Sequence, residues 1–251
     1  MTLPYTLIPD PLKQIGLIVL QSDETLEHDM RRLLPPDVDF LVSRVASAPS
    51  VSPESLRAME PLLAQAASLF PRGGRLSAVG YGCTSAASQI GPARIATNIK
   101  SGVETPEVTE PVSALIAACR HLGCTKIGLI SPYIASVSEY LRTVLRNAGI
   151  ETPCFASFEE PVEDRVVRIA PEALRQAAID MGRDDECDAV FLSCTNLRTL
   201  DVIEPVEAEI GKPTLSSNQV MAWHLGQLSG HLITGTGVGC LFSANTGNAS
   251  P

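Results

Sequence analysis

The chain carries the stretch Gly80-Tyr81-Gly82-Cys83-Thr84-Ser85 and, 111 residues further on, the similar stretch Phe191-Leu192-Ser193-Cys194-Thr195-Asn196. Each is a short apolar run that ends in a cysteine, followed by threonine and a second polar residue. The surroundings repeat as well, because Gln14-Ile15-Gly16-Leu17-Ile18 recurs as Lys126-Ile127-Gly128-Leu129-Ile130. Self-similarity of this kind predicts a doubled α/β unit.

Short apolar runs alternate with longer amphipathic stretches, which is the pattern of parallel strands flanked by helices. We predict strands at 15–20, 38–43, 76–81, 127–131, 153–156, 189–193 and 213–216. We predict helices near 24–34, 52–70, 110–122, 136–148, 171–182, 201–210 and 218–228. The predicted fold class is α/β, with two pseudo-symmetric lobes that are each a parallel sheet flanked by helices and with the active site in the cleft between them.

The repeat also predicts the domain boundaries. Residues 1–112 form the first lobe and 113–216 the second, with a linker around 104–112 and with 217–231 packing back on the first lobe. Beyond that point Gly, Ser, Thr and Asn dominate and the periodicity is lost, so we expect 232–251 to be a flexible tail.

The charge balance argues against two classes of partner. The 251 residues carry a formal net charge of -9 and no run of Lys or Arg, so a nucleic-acid backbone or an anionic membrane would be repelled. We therefore expect neither nucleic acid nor membrane as a partner. At 45% hydrophobic residues, the chain can bury one large core or two small ones.

The N-terminus and the cysteines indicate a compartment. Met1-Thr2-Leu3-Pro4-Tyr5 lacks the basic and apolar segments of a secretion signal, and no apolar run is long enough to span a bilayer. We expect a cytoplasmic protein. The seven cysteines are an odd number scattered through the chain, which in a reducing compartment indicates free thiols.

The sequence gives no support for a metal or a cofactor. Cys119 and Cys124 flank a single histidine, but no second ligand cluster lies at zinc spacing, so we interpret them as buried helix thiols. The glycine motifs that bind nucleotide phosphates are also missing from the sequence. We therefore expect no metal and no cofactor.

The two motif cysteines have a chemical interpretation. A strand that ends in Cys83 or Cys194 and runs into a helix places the thiol at the carboxyl edge of a sheet, where α/β proteins bind ligands. A helix N-terminus lowers the pKa of a thiol and attracts anions. Neutral donors follow each cysteine and could bind a substrate carboxylate; they are Thr84, Ser85, Thr195 and Asn196.

Two thiols that face each other across a cleft suit isomerisation. One can take a proton from a carbon, or attack it, while the other delivers a proton to the opposite face. Either Cys83 or Cys194 alone could equally be a buried thiol that acts as a small hydrophobe. Two at matching positions of a repeat favour function, although a protein that only binds an anionic metabolite is an alternative.

These residues resemble a known family. The resemblance to the aspartate/glutamate racemase superfamily rests on Gly82-Cys83-Thr84-Ser85, on Ser131-Pro132-Tyr133 and on motifs between Leu192 and Gln219, and it covers roughly 13–228. The nearest branch looks like maleate cis-trans isomerase, arylmalonate decarboxylase and the related ectoine-utilisation proteins. The resemblance implies two lobes that hold a small carboxylate without a cofactor, and a homodimer.

The resemblance also implies roles for individual residues. Cys83 would be the nucleophile or base of the first lobe, and Cys194 its counterpart in the second. The implied carboxylate ligands are Thr84, Ser85, the Tyr133 phenol and the Thr195 backbone. The decarboxylase branch has glycine at the first cysteine position, so the presence of Cys83 favours a racemase or an isomerase over a decarboxylase.

One residue departs from the pattern of the maleate isomerases. Asp23 occupies a loop position where they have asparagine, and a carboxylate there is unfavourable for a dianion. We therefore expect a substrate with a nitrogen cation, such as an amino acid or an ectoine-type zwitterion, with maleate cis-trans isomerisation through a thiol adduct as the alternative.

Overall fold

The structure is a computed structural model that describes residues 2–7, 14–73, 76–231, 233 and 238–243, and it contains two four-stranded parallel sheets. The first sheet has the order β2-β1-β3-β4, and its strands are β1 (Gln14–Leu20), β2 (Asp39–Val45), β3 (Leu76–Gly82) and β4 (Glu107–Thr109). The second has the order β6-β5-β7-β8, and its strands are β5 (Ile127–Ser131), β6 (Phe155–Ser157), β7 (Ala189–Leu192) and β8 (Thr214–Ser216). The matching order confirms the predicted fold of two pseudo-symmetric α/β lobes.

Helices connect the strands in both lobes. Those before the second sheet are α1 (Leu26–Leu33), α2 (Pro53–Arg57), α3 (Leu63–Ala67), α4 (Thr84–Ile90), α5 (Pro92–Gly102) and α6 (Pro111–Leu122), with a 3₁₀ turn at Glu60–Leu62. Those that follow are α7 (Ala135–Asn147), α8 (Glu163–Val166), α9 (Pro171–Gly182), α10 (Leu200–Ile210), α11 (Ser217–Ser229) and α12 (Cys240–Ser243). Among the residues described, no helix is both long enough and apolar enough to cross a bilayer.

The central strands explain why the sheets are buried on both faces. In β1 every residue from Ile15 to Leu20 is buried, and in β7 all four residues are buried. Continuous apolar runs of this kind are typical of parallel strands that are covered by helices on both sides. The cores of the two lobes are therefore built from the same apolar runs that repeat in the sequence.

The strand order places the functional loops. In the first sheet the chain leaves β1 toward β2 on one side and returns through β3 on the other, so a crevice opens beyond the carboxyl ends of β1 and β3. Asp23 follows β1 and Cys83 follows β3. The corresponding strands of the second sheet, β5 and β7, are followed by Tyr133 and Cys194.

Helix α11 contacts the first sheet, although it follows the last strand of the second. It packs against β3, β4 and α1, and it also packs against α6. Its start is fixed by a capping box, in which the Ser216 hydroxyl accepts from the Gln219 N–H (3.3 Å) and the Gln219 Oε1 accepts from the Ser216 N–H (3.2 Å). The first residue of this helix, Ser217, consequently lies at the junction of the lobes.

Several elements differ from the sequence prediction. The helix expected at 52–70 is broken into α2, a 3₁₀ turn and α3, because Pro61 cannot donate the backbone bond that a continuous helix needs. The expected linker at 104–112 contains β4, a three-residue edge strand. The prediction named only a presumed helix after Cys83, where the structure has both α4 and α5.

Most of the expected flexible tail, 232–251, lies outside the described residues, which here are 233 and 238–243. Within its described residues, α12 buries Leu241 and Phe242, and Val238 is buried as well. Helix α12 is fixed by Glu207 of α10, whose carboxylate accepts from the Cys240 N–H (2.9 Å). Because polar residues and glycine dominate this segment, its composition gave no sign of these three apolar residues, whose burial fixes the segment to the core.

The close approach of α1 to the end of β3 depends on Gly82, and this can be tested. A Cβ at Gly82 would lie 2.2 Å from Cδ2 of Leu26, so Gly82→Ala forces Leu26 to move. We expect the free energy of unfolding, measured with urea, to fall by about 1–3 kcal/mol. In a Leu26→Ala background the clashing atom is gone, and the same change should cost about 0.5 kcal/mol or less. An equal cost in both backgrounds would contradict this explanation.

Candidate active site

The carboxyl ends of the two sheets enclose a small cavity between the lobes. The space between its walls, with the open mouth included, is about 260 Å³. The residues that line it are Leu20, Ser22, Asp23, Cys83, Thr84, Ser85, Tyr133, Glu163, Cys194, Thr195 and Asn196. Both lobes contribute side chains to this cavity, so a ligand bound there would contact both.

All eight residues singled out in the sequence line this one cavity, and three further residues line it that sequence analysis missed. Leu20 and Ser22 belong to the loop of Asp23, so their presence follows from that prediction. Glu163 has no such signal, because it begins a four-residue helix after an irregular segment. Only the folded chain brings Glu163 to the cavity.

Cys83 lies at the start of α4 and is the N-cap residue of that helix. Its Sγ accepts a hydrogen bond from the Ala86 N–H at 3.4 Å. Burial nevertheless raises the pKa of Cys83 to about 12, and the N–H groups of Ala86 and Ser85 offset this only in part. The sequence-based expectation that the helix start lowers the pKa of this thiol is thus wrong, because the effect of burial is larger.

Cys194 has a different environment from Cys83. The helix predicted at 201–210 is α10, which begins at Leu200, so a turn of five residues separates it from Cys194. Its Sγ accepts from the Asn196 N–H (3.3 Å) and lies 3.0 Å from the Tyr133 hydroxyl. Burial raises the pKa of Cys194 well above its usual value, and the nearby carboxylate of Glu163 raises it further.

Tyr133 and Glu163 form a buried hydrogen-bonded pair beside Cys194. The Tyr133 hydroxyl donates to Oε1 of Glu163 at 2.7 Å, and Oε2 of Glu163 accepts from Nδ2 of Asn196 at 3.2 Å. Burial raises the pKa of Glu163, whereas the two hydrogen bonds lower it. Tyr133 is itself oriented by its backbone, whose N–H donates to Oγ of Ser131 (3.2 Å) and whose carbonyl accepts from the Ser157 hydroxyl.

Asp23 has one satisfied and one unsatisfied carboxylate oxygen. Its Oδ1 accepts from the N–H groups of Thr25 (2.9 Å) and Leu26 (2.8 Å) at the start of α1. Its Oδ2 is buried without a hydrogen-bond partner among the described residues, since the nearby Thr195 hydroxyl donates to the Gly82 carbonyl (3.2 Å). Burial raises the pKa of Asp23 to about 6. A ligand that donates to Oδ2 would satisfy this atom.

Hydroxyl and amide groups complete the lining. The Thr84 hydroxyl lies 2.8 Å from that of Ser217, which in turn accepts from the Cys194 N–H at 3.1 Å. Ser85 is buried and lines the cavity. Within the described part of the chain, no Lys, Arg or His lines the cavity. A substrate carboxylate would therefore be bound by neutral donors, not by an ion pair.

The fold and this site define a class of proteins: two-lobed α/β proteins in which each lobe contributes a cysteine to one cavity between the lobes. The chain belongs to the arylmalonate decarboxylase family, whose sequence profile matches residues 15–242. Membership confirms the resemblance seen in the sequence.

Relatives of known activity cover most of the chain. Maleate isomerase of Alcaligenes faecalis is 28% identical over 220 residues, which are 81% of this chain and 86% of that protein. A variant of maleate isomerase Iso from Pseudomonas putida S16, solved with maleate, superposes with a TM-score of 0.82 at 25% identity, covering 92% of this chain and 98% of that one. A Nocardia farcinica maleate cis-trans isomerase variant with a covalently bound succinylcysteine intermediate gives 0.80 at 26% identity, covering 92% and 98%.

The raised pKa of Asp23 predicts a stability that depends on pH. Its carboxyl has a pKa of about 6 in the folded protein and 3.8 as its ordinary value, so stability is lost as the pH rises from 3.8 to about 6, and the full loss is present above about 6. We expect Asp23→Asn to raise the free energy of unfolding at pH 8 by about 1–3 kcal/mol. The gain should shrink as the pH falls through about 6, measured by urea unfolding at several pH values.

Asp188→Asn is a control, because its expected effect on the free energy of unfolding has the opposite sign. The Asp188 carboxylate accepts from the N–H groups of Thr125 and Lys126, each at 2.9 Å, and these bonds lower its pKa. Asp188→Asn should therefore destabilise the protein at neutral pH. A gain for Asp23→Asn that stayed constant from pH 8 to pH 4 would contradict the assignment.

Proposed function

We propose that the protein is a cofactor-independent isomerase of a small carboxylate, with Cys83 and Cys194 as the acid/base or nucleophilic pair. The observation that carries this proposal is the placement of both thiols, one from each lobe, on a single cavity of about 260 Å³. A substrate held between them presents one face to each lobe. One thiol can then act on one face while the other acts on the opposite face.

The protonation states favour the same chemistry. Because burial raises the pKa of both cysteines, the resting site holds two thiols, either of which can donate a proton. For reaction with a bound substrate, one of the two thiols must lose its proton so that it can act as base or nucleophile. Paired thiols that differ in protonation state at the moment of reaction are what racemisation or thiol addition requires.

The substrate class that we favour has a protonated nitrogen as well as a carboxylate, as in an amino acid or an ectoine-type zwitterion. The unsatisfied Oδ2 of Asp23 supports this, because an ammonium or amidinium N–H would supply its missing partner. A carboxylate placed there instead would repel an ionised Asp23 by about 4 kcal/mol at a separation of about 4 Å and an effective dielectric constant of about 20.

Maleate is the second candidate, and the relatives favour it. The Pseudomonas structure contains maleate, and the Nocardia structure contains succinylcysteine, the adduct expected when a thiol adds to a double bond. Here a dianion could bind once Asp23 took up a proton. For a carboxyl with a pKa of about 6, that uptake costs about 1.4 kcal/mol at pH 7 and rises by the same amount with each further pH unit.

The pH dependence of turnover therefore separates the two candidates. A panel of maleate, aspartate, glutamate, hydantoins, ectoine and its hydrolysis products should be assayed by NMR in deuterium oxide. For a zwitterion we expect kcat/KM to rise with ionisation of Asp23, solvent deuterium to enter the stereocentre, and Asp23→Asn to reduce activity. For maleate we expect kcat/KM to fall about tenfold per pH unit above pH 6, with little label in fumarate.

Rapid, label-free conversion of maleate would promote the second candidate over the first. Failure of every compound in the panel, together with thiols that do not react, would favour a protein that only binds a metabolite. In that last outcome the proposed isomerase function is wrong.

The pair of thiols predicts the effect of removing either one. Cys83→Ala and Cys194→Ala should each lower kcat by at least about 10²-fold, since each deletes a reacting group but little buried volume. Cys119→Ala and Cys124→Ala are matched controls, because these thiols are buried around the end of α6, outside the cavity. The controls should retain nearly full turnover, and thermal unfolding should show that all four variants fold. Full activity in either active-site variant would exclude the two-thiol mechanism.

A further inference from the structure

We infer that Glu163 is the terminal proton acceptor of a proton relay that runs from Cys194 through the Tyr133 hydroxyl. Because of this relay, Cys194 is the thiol that becomes a thiolate, and its proton stays within the protein instead of passing to solvent. The inference rests on the proposed function and deepens it, because it distinguishes the roles of two cysteines that the repeat makes equivalent. Glu163 does not touch the substrate in this scheme, so it is a positioning residue.

The hydrogen-bond geometry sets the direction of the relay. An ionised carboxylate only accepts, so the single hydroxyl proton of Tyr133 points to Oε1 of Glu163 at 2.7 Å. The proton between Tyr133 and Cys194, whose atoms are 3.0 Å apart, must then belong to the thiol. Cys194 S–H thus donates to the Tyr133 oxygen, and the three groups form one continuous chain of donors.

Glu163 is held in this position by contacts between the lobes. Its backbone N–H donates to the Pro49 carbonyl (3.2 Å), and the Pro161 carbonyl accepts from the Val51 N–H (2.9 Å). Ser50 and Val162 form an antiparallel bridge between these two bonds. The carboxylate therefore reaches the cavity only when both lobes are in place, and its second oxygen is fixed by Asn196.

The transfer balances without any external group. The Cys194 proton moves to the Tyr133 oxygen while the Tyr133 proton moves to Oε1 of Glu163. The products are a thiolate, a neutral phenol and a neutral carboxylic acid, so one negative charge moves from Glu163 to Cys194. Two adjacent anions never coexist in the cavity, which is the arrangement that burial would penalise most.

Cys83 lacks such a relay. Its Sγ accepts from the Ala86 N–H. The phenol of Tyr81 also lies close to this sulfur, but its hydroxyl donates to Sδ of Met59 (3.8 Å) and not to a carboxylate, so no acid stands at the end of a path from Cys83. The other titratable groups near the relay are Cys83 itself with Tyr81 beside it, Asp23 on the far side of the cavity and the exposed Asp164 next to Glu163. Cys83 is accordingly suited to remain the thiol that donates a proton.

Alkylation by iodoacetamide tests the relay without any substrate, so the result is readable even if the proposed function fails. Mass spectrometry gives separate rates for Cys194 and Cys83. In the unchanged protein, the Cys194 rate should be flat between about pH 7 and pH 9, because the pair shares one proton whose position does not depend on solvent pH. In Glu163→Gln the rate should rise about tenfold per pH unit, since the proton must leave to water.

Three comparisons exclude a purely structural or electrostatic effect. Tyr133→Phe interrupts the path but keeps Glu163, and it should give the same tenfold slope. Asp164→Asn removes a neighbouring charge outside the path and should leave the Cys194 rate flat. The Cys83 rate should rise about tenfold per pH unit in every one of these proteins. A Cys194 rate that rises equally in the unchanged protein and in Glu163→Gln, or one that stays flat in Tyr133→Phe, would overturn the relay.

Discussion

The buried side chain of Asn196 connects the two lobes at the site, and the rest of the cavity depends on it. Its Oδ1 accepts from the Glu24 N–H (2.9 Å), and its Nδ2 lies within bonding distance of the Ser22 carbonyl (3.3 Å) and of the Glu163 carboxylate (3.2 Å). Its backbone carbonyl accepts from the Thr25 hydroxyl at 3.2 Å. Because a buried amide is costly unless its groups are paired, these bonds fix the loops of both lobes together. The positions of Asp23, Cys194 and Glu163 follow from that closure.

The joining of the two lobes around the cavity also determines how much negative charge the cavity can hold. Among the described residues, this buried cavity has two carboxyl groups and two thiols in its lining and no basic side chain, so it cannot hold several negative charges at once. Each carboxyl group or thiol must therefore keep its proton, accept a hydrogen bond or pair with a cationic ligand. Glu163 has two donors from the protein, whereas Oδ2 of Asp23 has none within the described ranges, so the two acids differ in what they require from a substrate.

Most of the fold could be predicted from the sequence because its signals are local. Apolar runs such as Ile15–Leu20 identify strands buried on both faces, and the repeated cysteine motifs identify their carboxyl ends. The break at Pro61 follows from the missing N–H, although it was not predicted. Strand β4 was missed because three residues at a sheet edge carry too little periodicity.

The residues of the site also divide into those that local sequence signals predict and those that they do not. Residues directly after a strand, such as Cys83 and Asp23, lie where the topology must place them, so sequence order is enough to find them. Glu163 reaches the cavity through backbone pairing between 49–51 and 161–163, a contact that no local pattern encodes. The protonation of the thiols was also mispredicted, since a helix start favours a thiolate but the extent of burial, known only from the fold, decides the outcome.

A repeated fold gives two equivalent positions for a nucleophile, and chemistry on two faces of a carbon needs them to differ. In the first lobe helix α4 starts at Cys83, whose sulfur accepts from a backbone N–H and lies near the phenol of Tyr81, a phenol that has no acid behind it. The second lobe delays its helix to Leu200, and the intervening turn brings the Asn196 N–H to Cys194, whose sulfur also lies against the phenol of Tyr133. The difference between the thiols therefore arises from where a helix begins and from one acid supplied by a distant loop. The strands themselves remain symmetric, which is why the repeat is so clear in the sequence while the difference in function is not.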